Sequence, residues 1–396
     1  MIKSLDSFNF KNQKCLIRVD FNVPINESGE ITDDNRIRQS MKTINKVISD
    51  GGIPILMSHL GRPKGEKNQK YSLKPVADYL SKTNSTIFLD DCIGEKIKLE
   101  ISKAKPGDIV LLENLRFYNE EEANDPAFSK QLSELGDVYI NDAFGTAHRA
   151  HSSTEGITKF MKNRFMGYLI EKELDFLGHS IANPVKPFTA IIGGAKISGK
   201  IDVIENLIGK CDYILVGGGM MFTFLYAQGY NIGNSIIEKD KIGLAKEILK
   251  KAEDSETKLV LPIDTKLADS FDNNANAIVT SVSDILGDYM GLDIGPKTIN
   301  LFKNFIKHSK TVLWNGPMGV FEFSNFSDGT FELAKSLAEA TKNGATTIVG
   351  GGDSAAAIST IGLDDEISHI STGGGASLEF LEGKTLPGIS ALEIYV

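Results

Sequence analysis

Seven arginines, Arg18, Arg36, Arg38, Arg62, Arg116, Arg149 and Arg164, all fall in the first 164 residues of a 396-residue chain. Arginine is the side chain whose planar fork grips carboxylates and phosphates. Four segments set these arginines among other polar groups. RVDFNVP (18–24) carries Asp20 and Asn22, which share one side of an extended chain because strand side chains alternate. SHLGRPKGE (58–66) carries His59 and Arg62, ENLRF (113–117) carries Arg116, and NDAFGTAHRAHSS (141–153) carries His148, Arg149 and His151. Such a set suits a small acid with a phosphate tail: the arginines and His59 hold the phosphate, while Asp20 and Asn22 orient hydroxyls. Taken singly, Arg18 and Arg38 read as structural. His148 and His151 read equally well as helix-end or surface histidines.

The second half carries glycine loops instead. GGAKISGKI (193–201) contains GxxxxGK from Gly194 to Lys200, but Ile201 stands where a P-loop needs Ser or Thr for Mg²⁺. What remains is Lys196 and Lys200, four apart, on one side of a helix start whose N–H groups favour anions. LVGGGMM (215–221) and IVGGGDSAAA (348–357) each place three glycines after an apolar run, where a phosphate can approach the backbone. Neither fits GxGxxG, so a nicotinamide-dependent dehydrogenase lacks its fingerprint. Asp353 has two compatible readings, a helix N-cap and a Mg²⁺ ligand beside phosphates. WNGPMGVFE (314–322) holds the only Trp; it is a packed turn, or its Glu322 meets a ribose hydroxyl.

These loops must be positioned by something. CLIRVDFNV (15–23), IPILMSH (53–59), TIFLD (86–90), DIVLLENLRF (108–117) and VYINDAF (138–144) read as strands, short and rich in Val, Ile and Leu. Between the first two, Ile37, Met41, Ile44 and Ile48 recur at helical spacing, with Asp33 or Asp34 as the cap and Gly51-Gly52 as the stop. SLKPVADYLSKT (72–83) is a further helix. The pattern restarts after Pro184-Val185-Lys186-Pro187 with FTAIIGG (188–194), YILVGGG (213–219), KLVLPID (258–264), AIVT (277–280), TVLWNGP (311–317) and TTIVGGG (346–352). Helices follow most of them, including 328–343 and a final one at 375–383. EKELDFLGHSIAN (171–183) separates the halves. The expected fold is therefore α/β, two doubly wound, Rossmann-like parallel sheets joined by a hinge helix. Ligands in such sheets sit beyond the carboxyl ends of the strands, where the unusual residues fall.

Bulk properties narrow the partners. A net charge of −9 argues against a general nucleic-acid binder. Cys15, Cys92 and Cys211 show no paired or metal-binding spacing and suit a reducing cytoplasm. The first ten residues lack an apolar core, so no signal peptide is expected. The longest uncharged stretch, 213–237, is broken by glycines, so no membrane span is expected.

Taken together, RVDFNVP, ITDDNRIR, SHLGRPKGE, ENLRF, NDAFGTAHRAHSS, EKELDFL, GGAKISGK, WNGPMGVFE, GGGDSAAA and STGGGASLE resemble the phosphoglycerate kinase family, in its order, from residue 18 to 379. Tyr168, in GYLIEKEL, departs from the family, which more often has a smaller or different residue there. The resemblance implies that Asp20, Phe21, Asn22, Arg36, His59, Leu60, Gly61, Arg62, Arg116 and Arg149 hold 3-phosphoglycerate. It implies nucleotide contacts from Lys200, Gly291, Glu322, Gly351, Gly352, Asp353 and Ser354, with Asp353 on Mg²⁺. It assigns neutralisation of the transferring phosphoryl to Arg36, Lys196 and Lys200. It further implies a substrate domain at 1–170 with 375–396 packing back on it, a hinge at 171–183, and a nucleotide domain at 184–374. The implied substrates are 3-phosphoglycerate or 1,3-bisphosphoglycerate and ADP or ATP, in a cytoplasmic monomer that uses neither nucleic acid nor membrane. A non-catalytic nucleotide or sugar-phosphate sensor on the same fold is the alternative.

Overall fold

Continuous apolar runs become strands covered on both faces. The computed structural model describes residues 2–393. Six parallel strands, β1 (Lys14–Val19), β2 (Ile53–Met57), β3 (Thr86–Phe88), β4 (Ile109–Leu111), β5 (Val138–Asp142) and β6 (Arg164–Met166), form a sheet of order β3-β4-β2-β1-β5-β6. Alternation divides their side chains between two cores. Ile17 and Val19 of β1 pack with Ile37, Ile44 and Val47 of the helix Asn35–Ser49. Leu16, Ile55 and Met57 face the other way, onto Ile97, Ile101 and Leu132.

A second parallel sheet holds β7 (Phe188–Ile192), β8 (Tyr213–Val216), β9 (Lys258–Val260), β13 (Thr311–Asn315), β14 (Thr346–Gly350) and β15 (His369–Ile370), in the order β15-β14-β13-β7-β8-β9. Between its strands in sequence lies a small antiparallel sheet, β11-β10-β12, of β10 (Asp264–Ala268), β11 (Ala277–Ser281) and β12 (Met290–Ile294). This corrects the sequence expectation twice. KLVLPID is two strands, because Pro262 brings no N–H to a ladder and ends the parallel strand before Asp264 opens the next. AIVT belongs to the antiparallel sheet, and its alternating exposure is that of a strand covered on one side.

By packing, the chain divides into two units: residues up to Leu174 with those from Thr385 onward, and Asp175–Lys384. The division falls within Leu174–His179, a π-helical stretch that follows the helix Tyr168–Glu173. The helix Gly375–Leu381 was expected on the first unit. It belongs to the second, where Asn206 Nδ2 donates to Leu381 O at 2.7 Å. The described residues from Thr385 join the first unit: Gly388 N donates to Ala147 O at 2.8 Å, and Asn141 Nδ2 to Gly388 O at 3.0 Å.

Capping also differs from expectation. Asp33 Oδ1 accepts from Asn35 N at 2.9 Å, while Asp34, at the N-cap position, instead accepts from Arg38 Nε (2.7 Å) and Tyr79 Oη (2.6 Å). In the second unit the cap of Pro296–His308 comes from a distant strand. Asp264 of β10 accepts from Lys297 N, Thr298 N and Thr298 Oγ1 at 2.9, 2.7 and 2.6 Å. The three cysteines are buried, and burial raises all three thiols, Cys211 to about 12. Among the described residues no helix is long and apolar enough to cross a membrane.

Removing the Asp264 carboxylate orphans the buried Thr298 N–H, frees the part-buried Lys297 N–H and leaves Thr298 Oγ1 only the Asp264 carbonyl at 3.1 Å. Asp264→Ala is expected to cost about 2–4 kcal/mol in urea unfolding; a loss under about 0.5 kcal/mol would show that the remote cap is dispensable.

Candidate functional site

The first unit gathers its polar groups where β1, β2, β4 and β5 end. Asp20 Oδ2 accepts from Arg36 Nη1 at 2.6 Å, and Asp20 Oδ1 accepts from Asn22 N at 3.3 Å. Asn22 Oδ1 accepts from Gly61 N at 2.9 Å, which ties the loop after β1 to the loop after β2. Gly61 takes φ +60°, and a Cβ there would lie 2.5 Å from the Tyr71 ring. Gly61 O accepts from Arg116 Nη1 at 3.0 Å, and Leu60 O from Asn114 Nδ2 at 2.7 Å, so the loop after β4 joins the same set. The Phe21 and Leu60 side chains are core residues, so these positions bring backbone rather than side chain to the loops.

His59 and His151 are both buried beside guanidinium groups. Burial, then Arg18, Arg116, Arg36 and His151, hold the His59 imidazole well below its ordinary value. Burial, then Arg18, Arg116, Arg149 and His148, push His151 down to about 3. Both are neutral at pH 7. Arg116 is itself buried, with Glu122 Oε1 3.3 Å from its Nε. Arg149 Nε donates to His148 Nε2 at 3.1 Å. Arg62 is exposed on the loop that carries Gly61. Two arginines are engaged elsewhere: Arg38 with Asp34, and Arg164 with the carbonyls of Thr158 and Glu393. Arg18, read singly as structural, is fully buried and bonded to His59.

In the second unit the loops after β7, β8 and β13 pack backbone on backbone. Gly194 N donates to Pro317 O (2.9 Å), Gly218 N to Met318 O (3.0 Å) and Met220 N to Gly194 O (3.0 Å). Gly217–Gly219 therefore close against Met318, Ala195 and Ile236, whereas the sequence pointed to phosphate contact there. The run after β14 differs. A Cβ at Gly352 would meet nothing within 4 Å, and Gly351 at φ +92° has only Asn315 close by. Here backbone is open to a ligand.

The helix after β7 is Ile201–Leu207, so Lys196 lies on the preceding loop, exposed, and the two lysines are not neighbours on one helix face. Lys200 Nζ donates to Asn315 Oδ1, and burial lowers its pKa against the pull of Asp353 and Glu382. Asn315 Nδ2 is buried with no partner. Asp353 is exposed at the second position of Gly352–Thr360, whose N-cap is Gly351, so the capping role expected for it falls to a glycine. Ser354 Oγ accepts from Gly316 N at 2.7 Å. Trp314 is buried and donates to Gly316 O at 2.7 Å, the packed-turn reading, while Glu322 is exposed. Gly291 of β12, which no short-range pattern revealed, donates its N–H to Ser235 Oγ at 2.9 Å; a Cβ there would lie 1.9 Å from the Phe222 ring.

One unit thus carries a cationic cluster with buried imidazoles, and the other an open glycine turn with the half-buried Lys200 on the loop after β7. The phosphoglycerate kinase family model matches residues 5–384. The chain belongs to the phosphoglycerate kinase family. It is 58% identical over 392 residues to a phosphoglycerate kinase of Chloroherpeton thalassium (98% of each chain). It is 53% identical over 394 residues to one of Clostridium botulinum, again 98% of each. The solved structure of phosphoglycerate kinase from Coxiella burnetii matches with a TM-score of 0.91 at 39% identity, over 99% of this chain and 98% of that one. That from Pyrococcus horikoshii matches with a TM-score of 0.83 at 31% identity, with the same coverage. As a member of this family the chain is an enzyme, a phosphotransferase with a carboxyl acceptor. The sensor alternative finds no support in these comparisons.

The Gly291 contact yields a stability test. Gly291→Ala forces a methyl into the Phe222 ring and is expected to cost about 1–3 kcal/mol in thermal or urea unfolding; an unchanged midpoint would mean that the ring yields freely.

Proposed function

We propose that the chain transfers a phosphoryl group reversibly from 1,3-bisphosphoglycerate to ADP, giving 3-phosphoglycerate and ATP, as a cytoplasmic monomer. The observation that carries this reading is the cationic cluster of the first unit in a chain of this family: Arg18, Arg116, His59 and His151 are buried at one sheet edge, with Arg36 and Arg149 half-buried beside them. Anions of small size and high charge fit such a cluster. Asp20, Asn22, Arg36, His59, Arg62, Arg116 and Arg149 would hold the phosphorylated acid, with Phe21, Leu60 and Gly61 contributing backbone.

The chemistry asks little of proton transfer. In the direction of acyl-phosphate synthesis the nucleophile is a carboxylate, already ionised at pH 7, so no general base is required. The task is to stabilise charge on a phosphoryl group in flight. Arg36 is held by one Nη1 contact to Asp20, and no described residue engages its other N–H groups. Lys196 and Lys200 bring positive charge to the loop after β7. Gly351, Gly352 and Ser354 would take the nucleotide phosphates, while Gly291 and Glu322 would face the nucleoside.

The donor set fits Mg²⁺ in one manner. Among the described residues no group of three or more His, Cys, Asp or Glu side chains could hold a metal alone. Asp353 is exposed beside the open glycine turn. One carboxylate completed by phosphate oxygens and water is how Mg²⁺ commonly binds at nucleotide sites. Bound there, the ion would neutralise the phosphate oxygens. The reading of a reducing cytoplasm draws on three unpaired, buried thiols.

A coupled assay with 3-phosphoglycerate, ATP and Mg²⁺ tests the reading; absence of turnover by the folded chain refutes it. Arg36→Ala is expected to lower kcat by on the order of 10³ with a smaller change in KM, and a loss under tenfold would remove Arg36 from the transition state. Asp353→Ala is expected to weaken Mg-nucleotide binding in calorimetry by roughly tenfold or more; equal affinity and equal Mg²⁺ dependence would end its role as a ligand.

A further inference from the structure

Arg18 lies on β1 with its side chain fully buried beneath the cationic cluster, and its N–H groups are divided among three partners. Nε donates to Ser153 Oγ at 2.8 Å, Nη1 donates to Val19 O, and Nη2 lies 3.2 Å from His59 Nδ1. Ser153 is in turn fixed. Its Oγ donates to Glu121 Oε1 at 2.6 Å, its N–H to Glu121 Oε2 at 3.0 Å, and its carbonyl accepts from Tyr139 Oη at 2.7 Å. Glu121 is fully buried behind Ser153; burial raises its carboxyl, while Arg18 and the two Ser153 donors oppose that rise and favour the ionised form. The result is a chain, Glu121–Ser153–Arg18–His59, that begins in the core and ends at a residue read above as a substrate ligand.

The direction of the last bond follows from chemistry. A guanidinium has only donors and does not deprotonate in proteins. His59 Nδ1 must therefore accept, so it carries no hydrogen. A neutral imidazole with a bare Nδ1 carries its hydrogen on Nε2. No described residue bonds Nε2. We propose that Arg18 is a positioning residue that holds His59 as the neutral tautomer, Nδ1 accepting from Arg18 and the Nε2–H offered to the bound acid. This deepens the functional reading and rests on it for what the Nε2–H meets.

The surroundings act in the same direction. The charged and titratable groups that face His59 are Arg18 from β1, Arg36 from Asn35–Ser49, Arg116 from the turn after β4 and His151 from the segment after β5. Protonating His59 would place a further positive charge among three guanidinium groups and would break the bond from Arg18. His59 thus serves as a directed, uncharged donor whose contribution does not change across neutral pH.

The tautomer is read on the full chain by nitrogen-15 NMR of labelled histidines, with His59 assigned by its loss in His59→Gln. In the wild type, Nδ1 is expected to be bare and Nε2 protonated, unchanged from about pH 5.5 to about pH 8. A proton on Nδ1, or a titration within that range, overturns the proposal without any variant. In Arg18→Met, folded by circular dichroism, the donor that keeps Nδ1 bare is gone, and His59 is expected to show a proton on Nδ1 in part or all of its population while burial, Arg116 and Arg36 still keep the ring neutral. KM for 3-phosphoglycerate is expected to rise about tenfold while kcat stays within about threefold. Wild-type His59 signals in that variant also overturn the proposal, because a merely structural Arg18 would leave them unmoved. The NMR arm needs no substrate, so loss of the functional reading in the coupled assay is a separate result.

Discussion

A parallel sheet delivers the carboxyl ends of all its strands to one edge, and the arginine cluster and the glycine turns both follow from that constraint. In the first unit, β1, β2, β4 and β5 run side by side or nearly so and end in Asp20, His59, Arg116 and the Arg149 loop. In the second, β7, β8, β13 and β14 end in Lys200, the closed glycine turn, Asn315 and the open glycine turn. An antiparallel arrangement would send alternate strand ends to opposite edges and scatter these groups. Long apolar runs are the local cost of the arrangement, because a parallel sheet must be covered on both faces.

Bringing several guanidinium groups to one edge creates an electrostatic problem that the same elements solve. Like charges in a partly buried site repel, and each loses hydration. Counter-charges are placed one step behind the cluster: Asp20 on Arg36, Glu122 on Arg116 and Glu121, through Ser153, on Arg18. The imidazoles between them stay neutral and serve as spacers with a dipole. A cluster compensated from behind can be held in the fold while its positive charge faces forward.

The arginine and glycine loops were legible in the sequence because each is a run of residues whose chemistry is local. RVDFNVP, SHLGRPKGE and GGGDSAAA declare themselves within ten residues. Contacts that join distant segments did not. Arg18 looks structural until Ser153 and Glu121 are seen beside it, more than a hundred residues away in sequence. Gly291 is one glycine in a strand until Phe222 fills the space above it. The glycines at 217–219 matched the open turn by composition, but their backbones are spent on the neighbouring loops. Three glycines in a row do not distinguish the two runs, since the difference lies in what stands opposite: Met318, Ile236 and the neighbouring loops at 217–219, but only Asn315 near Gly350 and Gly351 and nothing at Gly352.

The antiparallel sheet was misread for a reason of the same kind, and its presence explains how the second unit holds its helices. Pro262 follows the end of β9, and the chain turns into β10 and β12, whose Asp264 and Asp293 carboxyl groups point at helix starts. Asp264 serves Pro296–His308, and Asp293 accepts from Gly329 N at 2.8 Å at the start of Asp328–Lys342. Burial raises the Asp293 carboxyl to about 8, with the Gly329 and Ile294 N–H groups opposing that rise. Gly319 and Gly329 approach its oxygens so closely that a Cβ on either would lie 2.3 or 2.4 Å away. Glycine in the sequence after β13 therefore answers to an aspartate on β12 as much as to any ligand. The loop that bears Asn315 and Glu322 is thus shaped from behind by the buried carboxyl group of Asp293, as the loop after β1 is braced by the buried Glu121 through Ser153 and Arg18 in the first unit.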